Sequence, residues 1–272
     1  MGLKKSIKRE DIRKGIYILP NLFTLMNLFF GFYSVVCAIN GEFKTAAIAI
    51  MIAGVFDALD GKIARATNTL SRFGAEFDSL ADLVSFGMAP ALMMYLWILK
   101  PMGNLGWLAA FLFMACGALR LARFNTNIDQ PGDGYFMGLP IPAAAGMNAV
   151  IVLFTVDLEL QTSYSHLPVL ILMYGLSFLM VSSIKYFSLK KIELFRAMNF
   201  NVLVSMMLIL TLVAAKPSVS LLVISLAYIA SGPMFLLIRI YRKKELKETL
   251  PSHDHVAHSA PKPENGKKNR LP

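Results

Sequence analysis

Long apolar blocks, separated by short polar segments, dominate this sequence of 272 residues. An α-helix needs about 20 apolar residues to cross a hydrocarbon layer about 30 Å thick, and most of the blocks approach that length. With 56% apolar and only 16% charged residues, the chain falls outside the usual composition of soluble domains. The pattern predicts an all-α, polytopic transmembrane bundle of about eight spans, at residues 16–38, 46–64, 80–99, 105–124, 137–156, 167–184, 202–215 and 221–240.

The basic residues predict the orientation of these spans, because cytosolic segments of membrane proteins are enriched in Lys and Arg. With eight spans, 24 of the 27 basic residues fall on the side of the two termini, and only Lys44, Lys100 and Lys216 fall on the other. We therefore expect an integral protein of the cytoplasmic (inner) membrane with both termini in the cytosol. This distribution accounts for the net charge of +10, so no nucleic acid partner is expected.

Composition divides the chain into three regions. Residues 1–15 are predicted to form a basic cytosolic segment, residues 16–240 the transmembrane domain, and residues 241–272 a polar, disordered cytosolic tail. The two cysteines, Cys37 and Cys116, lie inside apolar blocks. A disulfide framework is therefore not expected.

Carboxylates near the ends of the second and third blocks are the unusual feature of the sequence. Five of the 17 acidic residues lie between positions 57 and 82. Asp57 and Asp60 end the apolar part of the second block, and Asp78 and Asp82 open the third. Ionisable residues at membrane depth are costly and commonly line a cavity, which points to a functional site.

Helical spacing brings these side chains together. Asp78 and Asp82 are i and i+4 on one predicted helix, and residues 66–73 are predicted to form the turn that precedes it. Five residues of the second block recur on one helical face: Asp57, Asp60, Gly61, Ala64 and Arg65. The small residues on this face, together with Gly74, let a ligand or a second backbone approach closely.

Converging carboxylates repel one another unless cations lie between them. Hard oxygen ligands suit Mg²⁺ or Mn²⁺. Four of them indicate two ions of the kind that act on phosphoryl groups. The predicted metal ligands are Asp57, Asp60, Asp78 and Asp82. The alternative is a cytosolic network in which these aspartates pair with Lys62, Arg65 and Arg72.

The complete pattern is Asp57-x₂-Asp60-Gly61-x₂-Ala64-Arg65-x₈-Gly74-x₃-Asp78-x₃-Asp82. It resembles the signature of the CDP-alcohol phosphotransferases, integral membrane enzymes that join an alcohol to a phosphatidyl group and release CMP. The resemblance implies a dinuclear metal centre on the four aspartates, with Asp82 as the general base. It also implies a homodimer, a six-helix catalytic core within residues 16–240, and contacts to the CDP moiety from Gly61, Ala64, Arg65 and Gly74.

Other stretches resemble one subgroup of that family, the membrane-integral bacterial phosphatidylserine synthases. These stretches are residues 20–27, 79–90, 118–125 and 136–143. The resemblance implies that CDP-diacylglycerol and L-serine are the substrates. Related enzymes that use glycerol 3-phosphate or inositol phosphate are the alternative within the family, and a divalent-cation transporter is the alternative from another class.

Several residues in these stretches admit two interpretations. Arg120 and Arg123, at i and i+3, could bind the serine carboxylate or a lipid phosphate, or could be ordinary interfacial arginines. Three polar residues of the first block lie on one face and could bind the ligand or join helices: Asn21, Thr24 and Asn27. Pro140 and Pro142 are expected to break the fifth span near its start and free backbone carbonyls to line a cavity.

Overall fold

The computed structural model describes residues 3–67, 71–126, 135–160, 166–187 and 216–249, together with the isolated helical positions 204, 207 and 211. The seventh predicted span, 202–215, lies outside the described residues apart from those three positions. So does the part of the predicted tail that follows residue 249. Residues 241–249 are helical.

The described chain is helical except for one short two-stranded ribbon. In chain order its elements are α1 (Leu3–Ile39), α2 (Phe43–Ala66), α3 (Arg72–Met102), α4 (Asn104–Thr126), β1 (Tyr135–Met137), α5 (Ile141–Asp157), α6 (His166–Val181), β2 (Lys185–Phe187) and α7 (Pro217–Thr249). Strands β1 and β2 pair antiparallel, with Tyr135 opposite Phe187 and Met137 opposite Lys185. No pattern in the sequence predicts this ribbon.

Four helical segments among the described residues are long and apolar enough to cross a membrane. They are Leu19–Ile39, Arg72–Met102, Asn104–Thr126 and Pro217–Leu236. Helices α5 and α6 are apolar but shorter, with 17 and 16 residues. Helix α2 has 24 residues, which corresponds to a length of about 36 Å, and it carries Asp57 and Asp60 in its second half.

The boundaries of the fifth and sixth predicted spans were wrong. The fifth span was predicted to begin at residue 137, but α5 begins only at Ile141. Gly138 has a φ of +77°, and Pro140 at the helix N-cap is extended, with a ψ of 136°. The chain therefore turns before the helix starts, as the two prolines predicted. The sixth span was predicted to reach residue 184, but α6 ends at Val181 and leads into β2.

Helix α3 contains two π-helical turns along its length. Residues Arg72–Asp82 are α-helical, Leu83–Met88 form a π-helical turn, and Ala89–Met94 return to α-helix before a second π-helical turn at Tyr95–Leu99. In a regular α-helix, Pro90 could not donate a hydrogen bond to the carbonyl of Phe86, four residues earlier, and its ring would clash with that carbonyl. The π-helical turn at Leu83–Met88 widens the helix before Pro90 and directly after Asp82.

Helix α3 begins at Arg72, inside the segment 66–73 that was predicted to form a turn, because Ser71 caps its first turn. The Ser71 hydroxyl accepts a hydrogen bond from the backbone N–H of Gly74 at 3.0 Å. This is an N-cap contact, which satisfies one of the free N–H groups of the first turn. Arg72 and Phe73 therefore belong to α3, and Asp78 and Asp82 share one regular helical segment.

Small residues allow α1, α2 and α3 to pack closely. Ala46, Ala47 and Ala53 of α2 are fully buried, and the hydroxyl of Ser34 in α1 donates to the carbonyl of Ala46 at 2.9 Å. Close packing of small residues and hydroxyl hydrogen bonds are typical of helix contacts within membranes. Gly31 is the tightest point, because a Cβ there would lie 2.6 Å from the Cα of Ser85.

The chain divides into two compact units, Met1–Pro233 and Met234–Pro272. The first contains α1 to α6, the ribbon and residues 217–233 of α7. The described part of the second, residues 234–249, is a single helical segment with several basic residues. All of the candidate site residues belong to the first unit.

We predict that Gly31→Ala destabilises the protein, because its methyl group would overlap Ser85 and force α1 away from α3. Overpacking of this kind costs about 1–3 kcal/mol, so the unfolding midpoint of the detergent-solubilised protein should fall. Gly175→Ala is the matched control, since a Cβ at Gly175 meets nothing within 4 Å. Equal unfolding midpoints for the two variants would contradict the close contact.

Candidate metal centre and substrate site

Three aspartates from two helices form a tight group. Asp57 and Asp60 of α2 and Asp78 of α3 each present a carboxylate oxygen, and these oxygens lie within 4.8 Å of one another. Asp60 is buried, and Asp57 and Asp78 are half-buried. The convergence of α2 and α3 predicted from helical spacing is therefore present for these three residues.

Asp82 lies beside this group but is not part of it. It is one helical turn from Asp78, is only 8% exposed, and interacts electrostatically with Asp57, Asp78 and Asp60. Its Oδ1 accepts a hydrogen bond from the amide Nδ2 of Asn27 at 3.1 Å. The four predicted aspartates thus occupy one site in two arrangements, a group of three and a single carboxylate held by an amide.

Helix α1 supplies a hydrogen-bond donor to each of two aspartates. Besides the Asn27 amide on Asp82, the Thr24 hydroxyl donates to Oδ2 of Asp60 at 3.0 Å, and it also lies 3.2 Å from the carbonyl of Pro20 in its own helix. Thr24 and Asn27 are both buried. Of the two interpretations of the polar face on α1, this geometry favours side chains that join helices, and it adds that their partners are the site carboxylates.

The predicted CDP-contact residues surround the group of three. The guanidinium of Arg65 lies over Gly61, with Nη2 3.7 Å from the position that a Cβ would take. A Cβ at Gly74 would lie 3.3 Å from Oδ1 of Asn21 in α1. Ala64 is half-buried on the same face of α2. Gly61 directly follows Asp60, and Gly74 lies one turn before Asp78, so two half-buried backbone segments without side chains adjoin the carboxylates.

The two predicted arginines of α4 have different surroundings. Arg120 is half-buried, interacts electrostatically with Asp82 and with the phenol of Tyr228, and its Nε is buried without a hydrogen-bond partner among the described residues. Arg123 is exposed, and its Nη2 lies 3.3 Å from the sulfur of Met137 in β1. Arg120 therefore lies at the carboxylate site.

A hydrogen bond fixes α4 against α3 near this site. The amide Nδ2 of Asn125 donates to the hydroxyl of Ser79 at 3.0 Å. Ser79 lies directly after Asp78, so the helix that carries Arg120 is tied to the helix that carries the two later aspartates.

A groove of about 420 Å³ runs along the neighbouring face of α2. Its walls are mostly apolar and come from α2, from Phe86 of α3, and from Pro142 and Gly146 of α5. Lys62, two residues after Asp60, lines it as well. The predicted break at Pro140 and Pro142 thus places the start of α5 at the edge of a cavity.

The donor set fits divalent metal ions. Carboxylate oxygens are the ligands that Mg²⁺ and Mn²⁺ prefer, and the three ligand atoms are close enough to share an ion. Oδ1 of Asp78 is buried and accepts no hydrogen bond from the described residues. A buried carboxylate oxygen without a donor is costly, and a bound cation would remove that cost.

Comparison with known sequences gives the family. Residues 17–181 match the sequence model of the CDP-alcohol phosphatidyltransferases. The chain belongs to this family. Among the described residues, the matched range covers the greater part of α1 and all of α2 to α6. Helix α7, with Tyr228, lies beyond it.

Several curated relatives carry names that specify a substrate. A CDP-diacylglycerol–serine O-phosphatidyltransferase of Helicobacter pylori is 37% identical, covering 84% of this chain and 96% of the relative. An enzyme of the same name from Methanocaldococcus jannaschii is 40% identical over 65% of this chain and 76% of its own. An archaetidylserine synthase of Methanothermobacter thermautotrophicus is 37% identical over 62% and 69%.

Two tyrosines near Arg120 were missed by the sequence analysis. The ring of Tyr186 in β2 is fully buried and lies 5.8 Å from that of Tyr228, between centroids. Its hydroxyl donates to the carbonyl of Ile229 at 3.2 Å, and a Cβ at Gly232 would lie 2.6 Å from its Cε1. Neither tyrosine carries a local motif, so only the packing of α7 could have revealed them.

We predict that Mn²⁺ binds to the purified protein and raises its unfolding midpoint, because the cation relieves repulsion among the three grouped carboxylates. Asp57→Asn, Asp60→Asn and Asp78→Asn should each weaken Mn²⁺ binding, measured by calorimetric titration. Glu76→Gln is the matched control, since Glu76 is an exposed carboxylate on the same helix as Asp78. Wild-type affinity in the three aspartate variants would exclude the metal centre.

Proposed function

We propose that the protein transfers the phosphatidyl group of CDP-diacylglycerol to the hydroxyl of L-serine, giving phosphatidylserine and CMP. The observation that carries this proposal is the group formed by Asp57, Asp60 and Asp78 with Asp82 beside it. The substrate assignment is supported by the names of the relatives, which act on CDP-diacylglycerol and serine or form archaetidylserine.

The grouped aspartates would hold two divalent ions, Mg²⁺ or Mn²⁺, with Asp82 at the edge of the centre. When bound, the ions supply positive charge that stabilises the diphosphate of the lipid substrate and the departing CMP. Gly61, Ala64, Arg65 and Gly74 would bind the CDP moiety, because two glycine backbone segments and one guanidinium lie next to the carboxylates. A guanidinium is suited to a phosphate oxygen pair.

Asp82 would act as the general base. The serine oxygen attacks the β-phosphorus, which carries the diacylglycerol, and the bond from that phosphorus to the CMP oxygen breaks. The hydroxyl proton passes to the Asp82 carboxylate, since a neutral hydroxyl is a weak nucleophile. Asp82 is suited to this step because it lies beside the grouped aspartates and is oriented by the Asn27 amide.

Arg120 would bind the carboxylate of serine. Its guanidinium is half-buried beside Asp82, and its Nε has no hydrogen-bond partner among the described residues. A serine whose carboxylate lies on Arg120 can present its hydroxyl to Asp82, because both groups belong to one small molecule. Arg123 is a weaker candidate for the carboxylate or for a lipid phosphate, since it is exposed and contacts Met137.

The membrane arrangement proposed for the chain follows the charge distribution. Eight spans, including 202–215, would place both termini and the aspartate site on the cytosolic face of the inner membrane. Water-soluble serine and CMP would then exchange with the cytosol, and the lipid substrate would enter from the bilayer. Residues 1–15 and 241–272 would flank the catalytic domain, which would act as a homodimer.

We predict that the purified protein releases CMP from CDP-diacylglycerol with L-serine but not with glycerol 3-phosphate, in the presence of Mn²⁺. The described site offers one arginine beside Asp82, which suits a carboxylate better than a doubly charged phosphate. Product lipid and CMP are quantified from matched reactions with each labelled acceptor. Faster turnover with glycerol 3-phosphate or inositol phosphate would move the protein to another branch of the family, and Mn²⁺ flux into vesicles without CMP release would favour a transporter.

We predict that Asp82→Asn abolishes turnover while CDP-lipid affinity stays within about tenfold, as expected when an interaction made in the transition state is lost. Asp57→Asn should lose metal-dependent lipid binding as well, because Asp57 belongs to the group of three. Calorimetric titration with a CDP-lipid analogue, with and without Mn²⁺, separates the two outcomes. Equal loss of binding in both variants would show that Asp82 acts mainly as a metal ligand.

We predict that Arg120→Ala raises the KM for serine by about 10- to 100-fold, the range expected for loss of a charge-assisted hydrogen bond worth about 1.5–3 kcal/mol. Arg123→Ala is the matched control on the same helix and should change this KM by less than about threefold. An unchanged serine KM in Arg120→Ala, together with a raised KM for the lipid, would reassign Arg120 to a phosphate.

A further inference from the structure

Helix α7 contacts the rest of the bundle mainly along one face. Few residues of its apolar segment Pro217–Leu236 are buried. Five buried or half-buried residues recur at i, i+4, i+7, i+11 and i+14, which places them on one side of the helix: Ser218, Leu222, Ser225, Ile229 and Gly232. Tyr228 lies at the edge of this face, directly before Ile229 and one turn before Gly232.

Tyr186 of β2 anchors α7 next to Tyr228. Its ring is fully buried and occupies the space left by Gly232, where a Cβ would lie 2.6 Å from Cε1 of the ring. Its hydroxyl donates to the carbonyl of Ile229 at 3.2 Å. The ribbon therefore holds the helix backbone one residue after Tyr228, and the two tyrosine rings lie 5.8 Å apart between centroids.

A carboxylate at the other end of α7 anchors its start. The hydroxyl of Ser218 donates to Oδ2 of Asp157 at the end of α5. Nζ of Lys44 lies 2.8 Å from Oδ1 of the same carboxylate. Ser218 and Ile229 are 11 residues apart, which corresponds to about three turns and about 16 Å along the helix axis. The two anchors therefore act on one face and fix both the depth and the rotation of Tyr228.

The phenol of Tyr228 lies near the guanidinium of Arg120. Tyr228 is half-buried, and the two groups interact electrostatically. The guanidinium also interacts with Asp82, and its Nε is buried without a hydrogen-bond partner among the described residues. A donor that lacks a partner and a phenol hydroxyl therefore adjoin the same part of the site.

A carboxylate is the group that this pair of donors suits. Its two oxygens only accept hydrogen bonds, and both a guanidinium and a phenol hydroxyl can donate. The hydroxyl of Tyr228 adds a donor without adding a second positive charge. The same place would therefore recognise the singly charged carboxylate of an amino acid better than a doubly charged phosphate.

We propose that α7 completes the acceptor site and that Tyr228 is a specificity-determining residue. Its hydroxyl donates to the carboxylate of serine, whose other contact is the guanidinium of Arg120. Tyr186 and Gly232 are positioning residues, because they hold Tyr228 at this place without touching the acceptor. This assignment rests on the proposed phosphatidyl transfer to serine and adds to it a residue that lies beyond the range matched by the family model.

The test uses Tyr228→Phe, which removes the hydroxyl and keeps the ring. Ser231→Ala is the matched control, since it removes an exposed hydroxyl of the same helix that bonds only to the carbonyl of Tyr228 in its own turn. Gly232→Ala tests the anchor. For each purified protein, kcat and the KM values for serine and CDP-diacylglycerol are measured with Mn²⁺. Serine affinity is measured separately by calorimetric titration with a CDP-lipid analogue present.

Tyr228→Phe should raise the KM for serine and weaken serine binding by about tenfold, the lower end expected for loss of a hydrogen bond to a charged group. Its kcat and its KM for the lipid should stay within about threefold, because the lost contact concerns the bound acceptor. In an Arg120→Ala background the same substitution should change the serine KM by less than about threefold, since both donors serve one carboxylate.

Gly232→Ala should raise the KM for serine in the same direction, because its methyl group would displace Tyr186 or α7 and move Tyr228 away from Arg120. Ser231→Ala should leave all three kinetic constants at wild-type values. If Gly232→Ala does not fold, Tyr186→Phe takes its place, since it removes only the hydrogen bond to Ile229 and should raise the serine KM as well.

Three results would overturn the role of Tyr228. The serine KM and serine affinity of Tyr228→Phe could equal those of wild type, the KM for the lipid could rise instead, or Ser231→Ala could produce the same loss as Tyr228→Phe. Each of these is observed with a wild-type protein that uses serine. A wild-type protein that releases no CMP with serine would instead reject the proposed phosphatidyl transfer itself, so the two failures are distinguishable.

Discussion

The structure of this protein depends on the placement of several carboxylates where two apolar helices meet. Asp57, Asp60, Asp78 and Asp82 would repel one another, and their burial removes the water that would otherwise screen them. The helices that carry them must therefore be held together by other means. Small residues in α1 and α2, and the close contact of Gly31 with Ser85, provide that packing. The cations that the site accommodates would offset the remaining repulsion.

Helix α1 connects this packing to the chemistry of the site. In water, a threonine hydroxyl or an asparagine amide adds little to the binding of a carboxylate, but a buried hydrogen bond to a charged group is stronger and its geometry is better defined. Thr24 and Asn27 form such buried hydrogen bonds with the carboxylates of Asp60 and Asp82. The same helix that buries apolar surface therefore also orients two of the four functional side chains.

The side of the site around Arg120 is formed by elements that lie far apart along the chain. Arg120 of α4 interacts electrostatically with Asp82 and with Tyr228, and Tyr228 is packed against Tyr186 from the ribbon. Gly232 leaves room for the Tyr186 ring, so α7 can lie close to β2. The family model matches residues 17–181, whereas Tyr186 and Tyr228 lie beyond that range.

The sequence by itself determined the helical class, the positions of most helices and the choice of the four aspartates as site residues. The length of an apolar block and the spacing of residues along a helix are local properties, so they do not depend on tertiary contacts. It also determined the family, since the aspartate signature fixes residues in two adjacent helices. It did not determine the ribbon, the early end of α6, or the surroundings of Arg120. Only the tertiary structure brought Asp57, Asp60 and Asp78 into one tight group and gave Thr24 and Asn27 their partners. Those contacts join residues that are 36 and 55 positions apart, and their formation depends on how α1 packs against α2 and α3 rather than on any local pattern.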